Sequence, residues 1–394
     1  MRARFGSAIL LLSFALAGAV VSGCSSQQGQ NVTPTKTPRP TFTPTPVATP
    51  TPVVTPTETP VPPTATPTPN PNLNPLTGLV VSDTTVLKRR PLEVAINNMP
   101  VARPQYGLAQ ADVVFEYVME GWSVTRFTAV YLGQEAERIG PVRSARLINL
   151  HLAPMFDAAL VASGASVEVR WLLRNKAKFP YLDIDLDDSA NTDYSTSVGT
   201  YWETRLQTST AALRRWLQST GQEKAISIKP LLFASTPLTG SVAAAGLHVP
   251  YPQNSIVDWT FDTASGRYLR SVAGERHLDG ATGNQLGATN VVVLFAAHDT
   301  TSVAEDTLGN TAIQIGLAGE GRCIVLRDGL AWNGRWRWDV PLDAATLATG
   351  DTIVVPQGTG VPLQLLMADG QPIPLRPGTT WFEVVPSDAT VDIK

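Results

Sequence analysis

Residues 112–132 read DVVFEYVMEGWSVTRFTAVYL. Two runs in this stretch, 112–119 and 126–132, are rich in β-branched and aromatic residues, and a short segment that contains Gly121 separates them. Such runs are typical of strands that are at least half buried. A third run of the same kind, LEVAI at 92–96, lies upstream. We therefore predict that a β-sheet built from these runs forms the first part of the core.

Helical patterns follow the strand-like runs. Apolar residues recur at helical spacing in 147–159, 167–178 and 209–219, and Ser209 is suited to cap the last of these helices. An apolar run at 159–163 predicts a further strand between the first two helices. The alternation of strands and helices predicts an α/β or α+β domain.

The pattern changes near residue 250, after which nearly every signal is that of a β-strand. Gly-containing turns separate strand-like runs at hairpin spacing. The segments concerned are 259–272, 290–298, 327–338 and 367–375. We predict a multi-domain α+β protein, with a mixed α/β domain over 73–252 and a mostly β domain over 253–394. Trp336 and Trp338 alternate in one of these runs, which favours a strand face packed in the core.

The N-terminus is predicted to be a lipoprotein signal peptide, residues 1–23. Arg2 and Arg4 precede an apolar run from Ala8 to Val21, which is too short for a lasting membrane span. The run ends in VSGC, which resembles a bacterial lipobox, and Cys24 would carry the lipid. The alternative is an ordinary secretory signal with an incidental cysteine. Acyl chains on Cys24 would hold the protein at the cell membrane, on its extracytoplasmic face.

Residues 24–72 are predicted to form a spacer. Thr-Pro repeats fill 31–71, and 15 of the 32 prolines lie between Pro34 and Pro75. Such a composition cannot bury a core. At roughly 3.1 Å per residue, about 40 residues of polyproline-like chain span on the order of 120 Å. A spacer of that length would carry the folded part away from the membrane, and its threonines permit glycosylation.

Several functional classes lack their sequence signals. The net charge of −3 gives no global basic field for nucleic acid. Phosphate-binding, dinucleotide-binding and serine-hydrolase motifs are missing, so no cofactor is predicted. The histidines have no metal-ligand spacing, and the run Asp183, Asp185, Asp187 lacks the glycine and glutamate of an EF-hand. Cys323 reads as a small buried residue of a strand.

The strongest group of polar residues lies in the first domain, at predicted strand ends and helix starts, where α/β folds gather functional groups. The candidate ligand-binding residues are Asn97, Asn98, Arg103, Glu116, Glu120, Arg126, Arg143, Ser144 and Arg146.

Within this group, GPVRSARLINL at 140–150 places Arg143 and Arg146 around Ser144, where a helix is predicted to begin. Positive charge at a helix start opposes the helix dipole. One explanation is an anion site, in which the free N–H groups of the helix and both arginines bind a phosphate or carboxylate. The other is structural, with the arginines paired to Glu116, Glu120 or Asp157. Ser144 would cap the helix in either case.

These motifs, taken in order, resemble the YerB-like lipoprotein family of Gram-positive bacteria. The matching segments are NPLTGL (74–79), INN (96–98), RPQ (103–105), QADVVFE (110–116), TRF (125–127), GPVRSAR (140–146), DGATGNQL (279–286) and PGTTWFEVVPSD (377–388).

The resemblance implies a lipid-anchored protein with an N-terminal α/β part and a C-terminal β part, and brings no established reaction. The chain departs from the family pattern in two places. Trp122 follows Glu120-Gly121, where the family usually has a second glycine. In the segment 191–196 the family's usual histidine is absent.

Three functions remain open from the sequence. The first is a binding module for an anionic envelope component, such as a wall polymer. The second is a scaffold that binds an envelope protein through the β domain. The third is an envelope hydrolase or transferase that uses Glu116 or Glu120 as acid or base. In a regular strand those two carboxylates would share a face about 13 Å apart, which suits neither usual glycosidase geometry unless a bulge or turn intervenes.

Overall fold

The structure is a computed structural model that describes residues 72–394, so the predicted signal peptide, Cys24 and nearly all of the predicted spacer lie outside the described residues. The α-helices are α1 Asn149–Met155, α2 Val167–Asn175, α3 Ile184–Asp187 and α4 Thr210–Ser219. Short 3-10 helices cover Thr84–Lys88, Pro100–Ala102, Leu108–Gln110, Glu120–Trp122 and Gln253–Ser255.

The strands of the first half are β1 Leu92–Asn97, β2 Val113–Val118, β3 Thr125–Tyr131, β4 Ala159–Ala162, β5 Tyr181–Asp183, β6 Thr196–Ser197, β7 Leu206–Gln207, β8 Val242–Ala243 and β9 Gly246–Val249. Those of the second half are β10 Val257–Asp262, β11 Arg267–Val272, β12 Glu275–Arg276, β13 Gly287–Ala288, β14 Asn290–Ala304, β15 Thr311–Gly316, β16 Gly319–Arg327, β17 Leu330–Trp338, β18 Leu342–Thr346, β19 Thr352–Pro356, β20 Gln364–Leu366, β21 Thr380–Pro386 and β22 Asp392–Ile393.

One large sheet runs through both predicted domains. Its strands follow the order β20-β17-β16-β14-β21-β2-β3-β1-β4-β5, with β15 and β8 attached at its side. Strand β21 comes from the C-terminal end of the chain, yet it lies between β2 and β14 and runs parallel to both. The protein is thus a multi-domain α+β fold whose two parts share backbone hydrogen bonds. The boundary placed at 252–253 stays a prediction.

Each face of the large sheet carries a separate core. The second sheet, ordered β12-β11-β10-β9-β22, packs on the face that presents Val94, Phe127 and Trp381, with Trp259 in the contact. Helix α1 covers the opposite face, where Leu152 belongs to the core that contains Phe115. A polar side chain on this sheet is therefore buried on one of two distinct faces.

The buried aromatic residues of the β-rich part follow the sequence prediction. Trp336 and Trp338 are buried on one face of β17, together with Trp332, and Cys323 is buried on the neighbouring β16. Within residues 72–394, the structure contains no helix that combines the length and the apolar character needed to cross a membrane.

Local sequence signals located most helices, with one exception. Helix α4 begins at Thr210, and the Ser209 side chain accepts a hydrogen bond from the backbone N–H of Ala212, as predicted for a cap. The predicted start at Ser144 is wrong, because α1 begins at Asn149 with Ile148 at the cap position and no side-chain cap. Ser144 therefore caps no helix.

The segment 141–145 is extended because it completes the sheet. Strands β1 and β4 pair only over Leu92–Val94 and then diverge. The gap is filled by backbone bonds from the Arg143 N–H to Ala95 and from the Ser163 N–H to the Arg143 carbonyl. A helix here would leave those buried groups of β1 and β4 unpaired.

The cap of α4 gives a stability prediction. We expect Ser209→Ala to lower the free energy of unfolding by about 1 kcal/mol, because the N–H of Ala212 loses its acceptor. Urea denaturation measures the change. Ser209→Asp is the matched control, since a carboxylate can also cap; an equal loss in both variants would contradict the assignment.

Candidate anion-binding site

The arginine-rich site lies at one edge of the large sheet. Strands β1, β2, β4 and β5 all run in the same direction, so their carboxyl ends meet there. The antiparallel β3 begins at this edge with Thr125 and Arg126. Segment 141–145 enters the same edge between β1 and β4. The carboxyl edge of parallel strands is the usual place for ligands in such folds.

Arg126 is buried at this edge and forms no salt bridge with any acid of residues 72–394. Its side chain is 3% exposed, and its Nη1 donates to the Ser144 carbonyl oxygen at 2.7 Å. The Nε group is buried and has no partner in the described part of the chain. Burial, together with the positive charges of Arg146 and Arg143, lowers the pKa of Arg126 to about 9. The site thus holds a cation at an electrostatic cost.

Arg143 lies against an aromatic ring at the mouth of the site. Its guanidinium carbon is 4.0 Å from the centre of the Trp202 ring, and no salt bridge to it is found among the described residues. Burial and the charge of Arg146 lower the pKa of Arg143. Asn97 holds the Trp202 loop in place, because its Nδ2 donates to the Glu203 carbonyl at 3.0 Å.

Arg146 is internally paired, as in the structural interpretation of the motif. Its Nε donates to Glu120 Oε2 at 2.7 Å, and its Nη2 donates to Oε1 of the same carboxylate. Glu305 Oε2 lies 3.6 Å from the Arg146 Nε, and burial raises the pKa of Glu305 to about 7. Of the acids proposed to pair with these arginines, only Glu120 does so; Asp157 pairs with Arg90.

Glu116, Asn98 and Arg103 do not join the arginine site, although the sequence analysis grouped them with it. Successive residues of a strand face opposite sides, and Glu116 shares a face with Phe127 rather than with Arg126. On that face the Arg270 Nη2 donates to Glu116 Oε2 at 2.5 Å. Asn98 donates to the other oxygen at 3.1 Å.

The hydrogen bonds around Glu116 continue into the second sheet through Arg270. Arg270 also donates to Nδ1 of His277, whose Nε2 donates to Gln105 Oε1 at 2.6 Å. Burial and the charge of Arg270 hold the pKa of His277 well below its usual value, so the ring is neutral. Arg103 donates to the side chain and the carbonyl of Asn98. These side chains hold the two sheets together, and Arg103 and His277 also line a shallow surface pocket beside Val272 and Leu278.

The two acids proposed for catalysis are therefore separated. Glu116 is fully buried on β2 and paired with Arg270. Glu120 lies beyond the end of β2, in the short turn Glu120–Trp122, and is bound to Arg146. The separation expected for a regular strand does not apply, because β2 ends at Val118 and Glu120 lies in the turn that follows it.

The acidic run is held by neighbouring side chains. Asp183 pairs with Arg170, Asp187 with Arg174, and Asp185 accepts from Ser163. Within residues 72–394 no group of three His, Cys, Asp or Glu side chains is arranged to hold a metal ion.

Three residues of the site were not found from the sequence. Trp202, Glu203 and Glu305 reach the edge through loops distant in the chain from Arg126. The signals that mark them are weak, because an isolated aromatic or acidic residue in a loop has many structural explanations. These residues come together only through the long-range packing of the fold, which no local sequence pattern records.

Comparison with known protein families matches two segments of the chain. The family described as "Protein of unknown function (DUF3048) N-terminal domain" matches residues 76–223, and its C-terminal domain matches residues 247–360. The chain is 29% identical over 317 residues to YerB of Bacillus subtilis (strain 168), whose name marks it as a candidate lipoprotein; the match covers 79% of this chain and 86% of the relative.

A crystal structure of the YerB protein from Bacillus subtilis has a similar fold. The TM-score is 0.67 at 26% sequence identity, over 82% of this chain and 99% of the solved chain.

A second buried acid behind the site gives a pH prediction. Glu93 lies on β1 and accepts from the Asn149 Nδ2 at 2.9 Å, while its Oε2 has no partner in the described residues. Burial raises the pKa of Glu93 from 4.5 to about 8. The unfolded chain releases this proton near pH 4.5 and the folded chain near pH 8, so this group destabilises the fold as the pH rises between those values.

We therefore expect Glu93→Gln to be stabilising relative to the unchanged protein at pH 8, by about 3 kcal/mol more than at pH 5, at roughly 1.4 kcal/mol per pKa unit. Urea denaturation at both pH values measures the difference. Glu135→Gln, at a half-exposed acid, is the control and should not show this dependence. A constant difference between Glu93→Gln and the unchanged protein from pH 5 to pH 8 would contradict the buried neutral carboxyl.

Proposed function

The chain belongs to the YerB-like family of DUF3048 proteins, and we propose that it is a lipid-anchored extracytoplasmic protein that binds an anionic component of the cell envelope. The binding element is the pair Arg126 and Arg143. The membrane anchor is supported by the lipobox-like VSGC at 21–24 and by the lipoprotein name of the Bacillus relative. The Thr-Pro spacer would place the site within reach of wall polymers.

The observation that carries the proposal is the charge of the site. Arg126 and Arg143 are buried or nearly so, lie beside the third cation Arg146, and have no salt bridge of their own in the described residues. Glu120 forms its salt bridge with Arg146, and its charge also acts, without direct contact, on Arg126 and Arg143. A buried charge without a partner is costly, and a carboxylate or phosphate between two guanidinium groups would remove that cost. Arginine suits such anions because its planar fork donates two hydrogen bonds.

The same contacts support binding over hydrolysis. A general acid or base must reach substrate, but Glu116 is enclosed by Arg270 and Asn98, and both oxygens of Glu120 are bound by Arg146. An envelope protein is the alternative source of the anion, since an exposed carboxylate of a protein has the same chemistry as one of a polymer.

The charge argument predicts the effect of removing the arginines. The test uses a chain without residues 1–23 that carries Cys24→Ser, so that no lipid contributes to binding. We expect Arg143→Gln to weaken binding to isolated anionic wall polymers at least tenfold, and Arg126→Gln/Arg143→Gln to abolish it. Raising NaCl from 0.05 to 0.5 M should also weaken binding, because salt screens the charges. Isothermal titration calorimetry measures the affinity.

Arg335→Gln/Arg337→Gln is the matched control, since both side chains are exposed on β17 and their loss changes the net charge equally. Thermal unfolding verifies that each variant is folded. If both double variants lost affinity equally, the effect would be one of net charge, and this would contradict the proposed binding site.

The anchor has its own test in cells. We expect the full-length protein to partition into the detergent phase after extraction with Triton X-114, and Cys24→Ser to partition into the aqueous phase, because acyl chains provide the membrane affinity. Cys323→Ser removes the buried thiol and is the control that should keep the detergent partition. Retention of Cys24→Ser in the detergent phase would refute lipidation at this residue.

A further inference from the structure

We infer that the anionic ligand is an acidic polysaccharide, whose charged group binds Arg126 and Arg143 and whose sugar ring packs on Trp202. This inference rests on the proposed anion site and names the chemical class of its ligand. It is carried by three features that lie together at the mouth of the site: an exposed aromatic surface, cations without salt bridges, and a free acceptor.

The aromatic surface consists of Tyr201 and Trp202. They are 60% and 59% exposed, although large aromatic side chains normally bury most of their area in the fold. The loop is held to the sheet by the bond from Asn97 to the Glu203 carbonyl. Tyr and Trp offer a large, rigid apolar face at a small entropic cost, which suits the C–H face of a sugar ring.

Charge and aromatic surface form one unit here. The Arg143 guanidinium lies 4.0 Å from the centre of the Trp202 ring, so a ring stacked beside it would bring its substituents within reach of Arg143. A carboxylate on that sugar would be attracted by Arg143 and by the buried Arg126, which lies close enough for the charge of Arg143 to act on it. A single ligand would thus contact the cations through its carboxylate and Trp202 through its sugar ring.

The free acceptor is Glu203. Its Oε2 is buried and without a partner in the described residues, and its charge acts on Arg143 without a salt bridge between them. Buried polar atoms normally have hydrogen-bond partners, so each exception needs an explanation. A carboxylate oxygen accepts from hydroxyl groups, which sugars supply in number. Glu203 also disfavours a densely charged polyanion, because it would repel the second charge of such a ligand.

Three polar atoms at this edge of the sheet are buried without a partner in the described part of the chain. They are Glu203 Oε2 and the Nε atoms of Arg126 and Arg143. Donors and acceptors are both present. A ligand with hydroxyl and carboxylate groups would pair with both kinds, whereas a simple anion would pair with the donors alone.

The experiment compares three classes of polymer on the chain that lacks residues 1–23 and carries Cys24→Ser. Polygalacturonate and wall glycan strands have sugar rings with carboxylates, poly-L-glutamate has carboxylates without sugars, and dextran has sugars without charge. We expect the acidic glycans to bind at least tenfold more tightly than the other two in calorimetric titration. Trp202→Ala should weaken glycan binding at least tenfold and change polyglutamate binding less than twofold.

Trp171→Ala is the matched control. Trp171 is also an exposed tryptophan with a cation over its ring, but it lies on α2, and its loss should change glycan affinity less than twofold.

The outcomes separate this inference from the proposed function. If polyglutamate binds as well as the acidic glycans and Arg143→Gln weakens both, the anion site stands and the sugar inference fails. If dextran binds as tightly as the acidic glycans, charge is not recognised and both fail. If no polymer binds to the folded protein, the sugar inference is overturned, and the titration with isolated anionic wall polymers decides the proposed function.

Discussion

The buried ion pair between Glu116 and Arg270 is the interaction on which the rest of this structure depends. It joins β2, in the middle of the large sheet, to β11 of the second sheet, and both side chains are fully buried. Removing one partner of such a pair usually costs about 3–5 kcal/mol, because the other charge is left in the interior. The polar side chains around the pair supply the hydrogen bonds that the two buried charges need.

Asn98 and Thr125 donate to one oxygen of Glu116, Arg270 donates to the other, and neutral His277 accepts from Arg270. Glu383 lies on the neighbouring β21, where burial and the charge of Glu116 raise its pKa well above the usual value. A second negative charge is thereby avoided beside the first. Asn98 of INN, Thr125 of TRF and Gln105 of RPQ are thus explained by the contact between the sheets, without any ligand.

The need to neutralise a buried charge also divides four other arginines into two kinds. Arg90 and Arg146 have carboxylate partners and act as internal braces. Arg126 and Arg143 are equally close to the interior but lack such partners among residues 72–394. Salt bridges neutralise the first kind, whereas the contacts of Arg126 with the Ser144 carbonyl and of Arg143 with the Trp202 ring leave the charges of the second kind without a counter-ion. The proposed binding function rests on this difference rather than on the number of positive charges in the motif.

The sequence revealed the features that depend on local pattern. The runs at 92–96, 112–119 and 126–132 are strands, and Ser209 caps α4, because strand composition and capping act over a few residues. The segment 141–145 was misread as a helix start, since its conformation depends on hydrogen bonds to residues 95 and 163, which no local pattern records. The face reached by each polar side chain, and the partners Arg270 and Trp202, depend on strand register and long-range packing, so they required the structure.

The central claim is that Arg126 and Arg143 bind the anion while Arg270 and Arg90 are structural. Nuclear magnetic resonance of arginine-labelled protein tests it most directly, by following the side-chain Nε–H signals during titration with an acidic glycan. Our account predicts that the signals of Arg126 and Arg143, assigned through Arg→Lys variants, shift with a common affinity while those of Arg270 and Arg90 stay fixed. Shifts confined to Arg270 or Arg90, or no shift at saturating glycan, would contradict it.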